Sequence, residues 1–107
     1  MAGPPRHRAS QLTIHLNTHD HAHHHSLLIE LVQRARRARM AGATVFEAVE
    51  GYGSSGSTQR HHLVGGSAPL TFVIVDDTER VDRFLAELGQ ILDHVLVTVH
   101  DVDVVDR

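Results

Sequence analysis

The stretch Ala41-Gly-Ala-Thr-Val-Phe-Glu-Ala-Val-Glu-Gly-Tyr-Gly-Ser-Ser-Gly56 contains a helix end, a strand and a glycine-serine loop in direct succession. Gly42 stands where a helix commonly ends, and an apolar strand is predicted over 43–50. The loop reads Gly51-x-Gly-x-x-Gly56, the spacing of a dinucleotide-binding fingerprint. That fingerprint needs a helix directly after the loop, so that the last glycine packs helix on strand. No apolar helical stripe follows, so we reject a dinucleotide fingerprint and expect no regular element directly after the loop.

Outward from this stretch, the hydrophobic pattern predicts further strands and two helices. A strand is predicted over 11–16, followed by a polar, histidine-rich loop over 17–25. Ser26 is the predicted N-cap of the first helix, and Asp76 or Asp77 that of the second. Apolar residues at helical spacing are Leu27, Leu28, Leu31, Val32, Ala35 and Ala38, then Val81, Phe84, Leu85, Leu88, Ile91 and Leu92. The other predicted strands cover 61–64 (short), 70–75 and about 95–105.

This order of elements, β-α-β-β-α-β, predicts an α+β fold of the ferredoxin-like type. Its four-stranded antiparallel sheet should carry both helices on one face. The other face should also be apolar, because Val73 and Val75 alternate with the apolar residues that face the helices, and Phe46 alternates with Val45. A sheet that is apolar on both faces needs a second cover. The simplest cover is another copy of the chain, so we predict an oligomer.

Composition limits the class of protein. The 107 residues predict a single domain over 10–107, after a disordered lead over 1–9. There is no cysteine and no lysine, and the formal net charge is −3. Basic residues do not dominate, which argues against nucleic-acid binding. No apolar run approaches the ~18 residues that span a bilayer, and no secretory signal is recognisable, so a cytoplasmic protein is expected.

Six short stretches together are similar to one known group of proteins. They are Leu12-Thr-Ile14, Leu27 to Arg36, Ala41-Gly-Ala-Thr-Val45, Gly51-Tyr-Gly-Ser-Ser55, Val73-Ile-Val-Asp-Asp77 with Glu79, and Leu96-Val-Thr98. On these residues the chain resembles the PII-like superfamily, and most closely its domain of unknown function 190 family. The resemblance covers residues 11–105. The helix end followed by glycine-aromatic-glycine is its most specific part.

The resemblance implies a homotrimer of ferredoxin-like subunits packed through their sheets. It also implies a regulatory protein, not an enzyme, which binds a small effector such as an adenine nucleotide in clefts between subunits. The loop over 52–66 would correspond to the T-loop. In PII-like proteins this loop changes conformation and docks on a partner, often a membrane transporter, a channel or a metabolic enzyme.

The effector-binding residues are expected at the base of this loop. Glycine lets backbone N–H groups approach an anion closely, and serine adds hydroxyl groups. PII proteins carry basic residues and a glutamine near the T-loop, whereas Arg60 is the one strong base near this loop. A plain hairpin connection is the alternative interpretation of the same glycines. The predicted effector-binding residues are Gly51, Tyr52, Gly53, Ser54, Ser55 and Arg60.

A metal-binding function is the alternative, in a trimer similar to the divalent-cation tolerance proteins. The chain has 11 histidines, and neutral imidazole binds Zn or Cu. Antiparallel pairing of the first and last strands would bring His15 near His94. A solvated histidine-rich loop with incidental affinity for metals is the simpler explanation. The predicted ligands are His15, His19, His21, His23 and His94.

Other functional classes find less support in the sequence. A catalytic Ser-His-Asp set could be written down for any chain this rich in histidine, so the residue types alone indicate no enzyme. His61 and His62 follow the glycine-serine segment. They are either exposed strand residues or, together with the histidines of 19–25, groups that make docking on a partner sensitive to pH. The acids alternating with valines over 100–106 predict an edge strand and not a calcium loop. An interaction module without any ligand is the third alternative.

Overall fold

The computed structural model describes residues 3–47, 50–52, 58–60 and 68–107. Eight strands and two α-helices are present in this part of the chain. In chain order they are β1 (Arg6–Asn17), β2 (His21–Ala22), β3 (His25–Ser26), α1 (Leu27–Arg37), β4 (Thr44–Glu47), β5 (Glu50–Tyr52), β6 (Thr58–Arg60), β7 (Pro69–Asp76), α2 (Thr78–Leu88), a 3₁₀ turn (Gly89–Leu92) and β8 (Leu96–Val105). None of the described helices is long and apolar enough to cross a membrane.

The main sheet has the strand order β4-β7-β1-β8, and every neighbouring pair is antiparallel. The sheet order and the two helices confirm the predicted α+β ferredoxin-like fold. Phe72 lies near the centre of the sheet, opposite Ile14 on one side and Val45 on the other. Both helices pack on this face and enclose the core. The main core residues are Leu12, Ile14, Leu16, Leu27, Leu31, Leu70, Phe72, Ile74, Val81, Phe84 and Leu88.

The opposite face of the sheet, here the open face, is covered by neither helix. Residues directly opposite each other on neighbouring strands share a face, so Phe46, Thr71, His15 and Leu96 form one row across all four strands. The two ends of this row are the most exposed large apolar side chains described, with Phe46 58% and Leu96 62% exposed. Val73 lies in the next row, as the sequence predicted. The open face is therefore mixed, because exposed apolar side chains at Phe46 and Leu96 flank the polar Thr71 and His15.

Strand β1 begins earlier than the sequence predicts. Residues 6–9 were expected in a disordered lead, but they pair with the end of β8. Side chains also join the two strands here, because Arg8 Nε donates to Asp103 Oδ1 at 3.1 Å and His7 Nδ1 lies 2.6 Å from Asp106 Oδ1. The pattern of alternating apolar residues does not extend to this end of β1, so the sequence signal for a strand is missing there.

The histidine-rich segment is an ordered hairpin and not the loop predicted over 17–25. Asp20 closes the preceding turn, since its Oδ2 accepts a hydrogen bond from Asn17 N at 2.8 Å. Strands β2 and β3 then pair across a turn in which His23 has a positive φ of 59°. Ala22 anchors the hairpin in the core, where it is 3% exposed. The histidines on either side of Ala22 remain exposed.

The ends of α1 agree with the sequence at one end and differ at the other. Ser26 is the N-cap, as predicted, and its Oγ accepts a hydrogen bond from Ile29 N at 3.5 Å. Gly42 was predicted as the C-terminal glycine, which is wrong. The helix ends at Arg37, and Arg39 takes the left-handed conformation with φ 55°. Met40 N donates to Ala35 O, which completes a Schellman motif with arginine in the usual place of glycine.

Replacing Arg39 with glycine should therefore stabilise the protein. A non-glycine residue in the left-handed region destabilises the folded state by about 1 kcal/mol. Glycine removes this strain, but its greater conformational freedom stabilises the unfolded chain and offsets part of the gain. We expect Arg39→Gly to raise the free energy of unfolding by about 0.5 kcal/mol, measured by urea denaturation at one protein concentration. Arg36→Gly, inside the same helix, should lower it by about 1 kcal/mol. Equal destabilisation by both substitutions would contradict this assignment.

Candidate functional site

Strand β4 leads directly into the glycine-containing segment. Beyond β4 the chain forms a separate two-stranded hairpin, in which β5 pairs with β6 and Gly51 lies opposite Gln59. The next described residues, Thr58–Arg60, thus form a strand and not a helix. This agrees with the rejection of a dinucleotide fingerprint, which requires a helix at this point. It also corrects the expectation that no regular element follows the loop. The predicted short strand over 61–64 lies outside the described residues.

A shallow cleft of about 320 Å³ lies beside β4, on the open face of the sheet. Its walls are made by small or branched side chains and by backbone, which lets a bound molecule approach the main chain closely. A Cβ atom added at Gly42 would meet no heavy atom within 4 Å, so the cleft is empty next to Gly42. The lining residues are Ala41, Gly42, Ala43, Thr44, Val73 and Val75.

Asp76 fixes the position of this wall. Its Oδ2 accepts a hydrogen bond from Ala41 N at 2.8 Å, and its Oδ1 accepts from Asp77 N at 2.7 Å and from Arg80 Nε at 3.2 Å. Burial by itself raises the pKa of the Asp76 carboxyl, but these backbone and arginine donors outweigh it and lower the pKa. Asp76 is therefore a structural anchor for the wall of the cleft, and Asp77 is the N-cap of α2.

A second polar cluster lies on the helix face around Glu30. The Glu30 side chain is 9% exposed, and its Oε2 accepts a hydrogen bond from Arg34 Nε at 2.6 Å. Its Oε1 accepts a hydrogen bond from His25 Nε2, which ties the histidine hairpin to α1. The Arg34 and His25 hydrogen bonds lower the pKa of Glu30 from 4.5 to about 2. Glu30 is therefore charged at neutral pH and holds the hairpin, the helix and an arginine together.

This lowered pKa makes an acid-dependent prediction. Because the pKa of Glu30 is lower in the folded protein than in the unfolded chain, its stabilisation is complete above pH 4.5 and is lost as the pH falls towards 2. Glu30→Gln should lower the free energy of unfolding at pH 7 and should flatten its decline between pH 4.5 and 2. Urea denaturation across that range measures both effects. Glu87→Gln, at an exposed carboxylate, is the control and should leave the decline unchanged.

The predicted effector-binding residues are described in part. Gly51, Tyr52 and Arg60 lie in strands β5 and β6, with Arg60 opposite Glu50. Gly53, Ser54 and Ser55 lie outside the described residues. The sequence analysis did not find the cleft residues of the 41–44 segment or Asp76 as their anchor. Asp76 was interpreted as a helix cap, and nothing local to the sequence connects it with Ala41.

The predicted metal ligands are not brought together. No three histidine, aspartate or glutamate side chains within residues 3–47 and 68–107 are placed to hold one ion. His15 lies on the open face opposite Leu96, and His94 precedes β8 by two residues. His21 Nδ1 instead donates to the carbonyl oxygen of His19 at 2.5 Å. His23 is the exposed turn residue of the hairpin.

Comparison with known proteins identifies the family. Residues 9–104 match the family DUF190, Uncharacterized ACR. The chain belongs to the DUF190 family. A UPF0166 protein of Aquifex aeolicus (strain VF5) is similar to it, with 37% identity over 78 residues, which are 70% of this chain and 72% of the relative. The resemblance stated from the sequence motifs is thereby confirmed.

Solved structures confirm the PII-like fold of this DUF190 protein. CPII of Thiomonas intermedia K12, a nitrogen regulatory PII-like protein whose structure contains ADP, AMP and bicarbonate, superposes with a TM-score of 0.75. Its identity is 23%, and the match covers 97% of this chain and 94% of CPII. A putative PII-like signaling protein of Thermus thermophilus has a TM-score of 0.68 and 21% identity, and the match covers 92% of this chain and 90% of that protein.

Proposed function

We propose that this DUF190 protein is a PII-like regulatory protein that binds an adenine nucleotide at clefts between its subunits. It assembles as a cytoplasmic homotrimer and docks on a partner through the 52–66 loop. The partner belongs to the classes that the resemblance implies, a membrane transporter, a channel or a metabolic enzyme. The protein catalyses no reaction of its own, and the bound effector acts by changing the conformation of the loop.

The position of the cleft beside β4 carries this proposal. The cleft lies on the open face, where Val73 and Val75 are half-buried without any helix above them. A second subunit that packs on the open face would supply the missing wall and would convert a shallow cleft into an enclosed site. Ligand sites commonly occur where two units meet in this way. The same cleft adjoins β4, the strand that leads into the loop.

The ligands of CPII support an adenine nucleotide as the effector. CPII, which shares this fold over nearly its whole length, contains ADP and AMP in its solved structure. The described wall of the cleft is uncharged, so it suits the base and the ribose better than the phosphates. The phosphates would be held by backbone N–H groups of the glycine segment over 51–55 and by Arg60, because successive N–H groups form anion-binding nests.

Regulation then follows from the placement of the phosphates. A ligand that contacts the loop in one conformation increases the population of that conformation. The size of the shift is set by the difference in the ligand's affinity for the two conformations. Phosphate contacts that order a loop are a common form of this switch. The bound nucleotide would therefore decide whether the 52–66 loop can dock. Conversely, the partner would alter the affinity for the nucleotide by the same factor.

Isothermal titration with AMP, ADP, ATP and cyclic nucleotides tests the proposal. We expect saturable binding of at least one of them by the wild-type protein. Ala43→Phe fills the cleft at an exposed position and should weaken that binding at least about tenfold, since the ligand loses its space. Ala86→Phe, at an exposed position on α2, is the matched control and should leave binding unchanged. No binding across the whole panel, or equal binding by Ala43→Phe, would refute the cleft as a nucleotide site.

A further inference from the structure

The outer surface of the two helices contains a second and larger groove, of about 490 Å³. It lies on the opposite side of the sheet from the cleft beside β4, because α1 and α2 form its walls. Ala38, Met40 and Phe84 give it an apolar floor. Four arginines and two glutamates line it, which leaves an excess of positive charge. These charged residues are Arg34, Arg37, Arg80, Arg83, Glu30 and Glu87.

Two of the arginines are held rigidly in the walls. Arg34 binds Glu30 and also donates from Nη1 to Glu87 O at 3.2 Å, at the C-terminal end of α2. Arg80 binds Asp76 and also donates from Nη2 to Ala38 O and Arg39 O, at the C-terminal end of α1. Each helix thus supplies an arginine that caps the carbonyl groups of the other. These reciprocal hydrogen bonds connect the two walls of the groove.

The other two arginines have donors to spare. Arg37 contacts one carboxylate oxygen, Glu30 Oε2, at 3.8 Å, which is beyond hydrogen-bonding distance. Arg83 forms no hydrogen bond or ion pair with any residue in the described part of the chain. Arg37 extends from α1 and Arg83 from α2, so both guanidinium groups lie beside the groove, one on each wall. Guanidinium groups bind carboxylate and phosphate oxygens in pairs of parallel hydrogen bonds.

We propose that this groove binds a small organic oxyanion, a phosphate ester or a carboxylate. Arg37 and Arg83 bind the anionic group from opposite walls, and the apolar part of the molecule lies over Ala38 and Met40. The volume is within the range of pockets that bind small molecules, about 300–1,000 Å³. Glu30 does not oppose the anion strongly, because its Oε2 is paired with the Arg34 guanidinium and its Oε1 is hydrogen-bonded to His25. The Glu87 carboxylate repels ligands that carry a second negative charge away from the group bound by Arg37 and Arg83.

This site is spatially separate from the proposed nucleotide site. Subunits that pack through the open face leave the helix face exposed, so the groove stays accessible in the trimer. It also uses none of the residues of the cleft beside β4. An anion in this groove would contact both α1 and α2. Asp76, which binds both Arg80 in the groove wall and Ala41 in the cleft wall, directly connects the two sites.

Titration with phenyl phosphate tests the groove, because this probe combines a dianion with an apolar ring. Benzoate tests the carboxylate form, while inorganic phosphate and phenol each lack one half of the proposed contact. We expect the wild-type protein to bind phenyl phosphate or benzoate more tightly than either half. Arg83→Gln and Arg37→Gln should each weaken that binding about tenfold, the usual effect of losing one charge-assisted hydrogen bond.

Arg36→Gln is the matched control, since Arg36 is exposed on the same helix as Arg37 and does not line the groove. It should change the affinity by less than about twofold, as expected for a change of distant surface charge. Ala43→Phe should also leave phenyl phosphate binding unchanged, which separates this site from the nucleotide cleft. Absence of saturable binding by the wild type, or equal losses in Arg36→Gln and Arg83→Gln, would overturn the proposal.

Discussion

Replacing Phe46 with aspartate is expected to convert the proposed trimer into monomers. Phe46 is 58% exposed in the single chain and lies on the edge strand β4 of the open face. Association through this face would bury one carboxylate without a partner in each subunit, and each such burial costs several kcal/mol. The dissociation constant should rise at least about a thousandfold. Size-exclusion chromatography with light scattering should show the mass falling from three times 11.8 kDa to a single chain.

Ile29→Asp is the matched control for this change. Ile29 is an apolar residue of nearly the same exposure, 51%, but it lies on α1, on the other side of the sheet. We expect the Ile29→Asp protein to remain a trimer, and circular dichroism should show that both variants are folded. A trimeric Phe46→Asp protein would mean that subunits do not meet through the open face. A monomeric wild type would remove the proposed assembly and, with it, the second wall of the nucleotide cleft.

Replacing Phe72 with alanine should have the largest effect on folding. Phe72 is fully buried on β7 and lies between Ile14 and Val45 at the centre of the helix-facing side. Removal of the ring leaves a cavity that the surrounding strands cannot fill, which costs about 3–5 kcal/mol. That loss is a large part of the stability of a chain this short. Urea denaturation at one fixed protein concentration measures it, because the unfolding of an oligomer depends on concentration.

Phe72→Leu is the control for the cavity. Leucine retains most of the apolar volume, so we expect a loss of about 1 kcal/mol. Both variants should keep the denaturant slope of the wild type, since the surface exposed on unfolding is nearly the same. If Phe72→Ala lowered the free energy of unfolding by no more than about 1 kcal/mol, as expected for Phe72→Leu, the position would tolerate a cavity and would not be the centre of the core.

Local sequence signals predicted most of the main sheet and both helices. Alternation of apolar residues correctly placed Val73 and Val75 on the side of β7 opposite the buried Phe72 and Ile74. Ser26 was identified as an N-cap because its side chain acts on the backbone three residues away. In each case the interaction that stabilises the conformation lies within one turn or two strand residues. Such contacts are readable from the chain without knowledge of its partners.

The wrong predictions concern contacts between distant residues. Residues 6–9 join β1 because their backbone pairs with the end of β8 and Arg8 binds the Asp103 carboxylate. No residue next to 6–9 in the sequence indicates these contacts. Arg39 ends α1 in a conformation usually taken by glycine, and its carbonyl is held by Arg80 from the other helix. The histidine-rich segment becomes a hairpin because Ala22 reaches the core.

The sequence by itself determined the order of elements, the faces of the strands and the family to which the chain belongs. Periodicities of about 2.0 and 3.6 residues are properties of the backbone, so they are visible in the order of apolar residues. Only the tertiary structure decided where charges meet. Arg34 reaches the backbone of Glu87 across 53 positions of sequence, and Asp76 holds Ala41 across 35. Both the arginine groove and the cleft beside β4 exist because packing of the core brings such distant segments together.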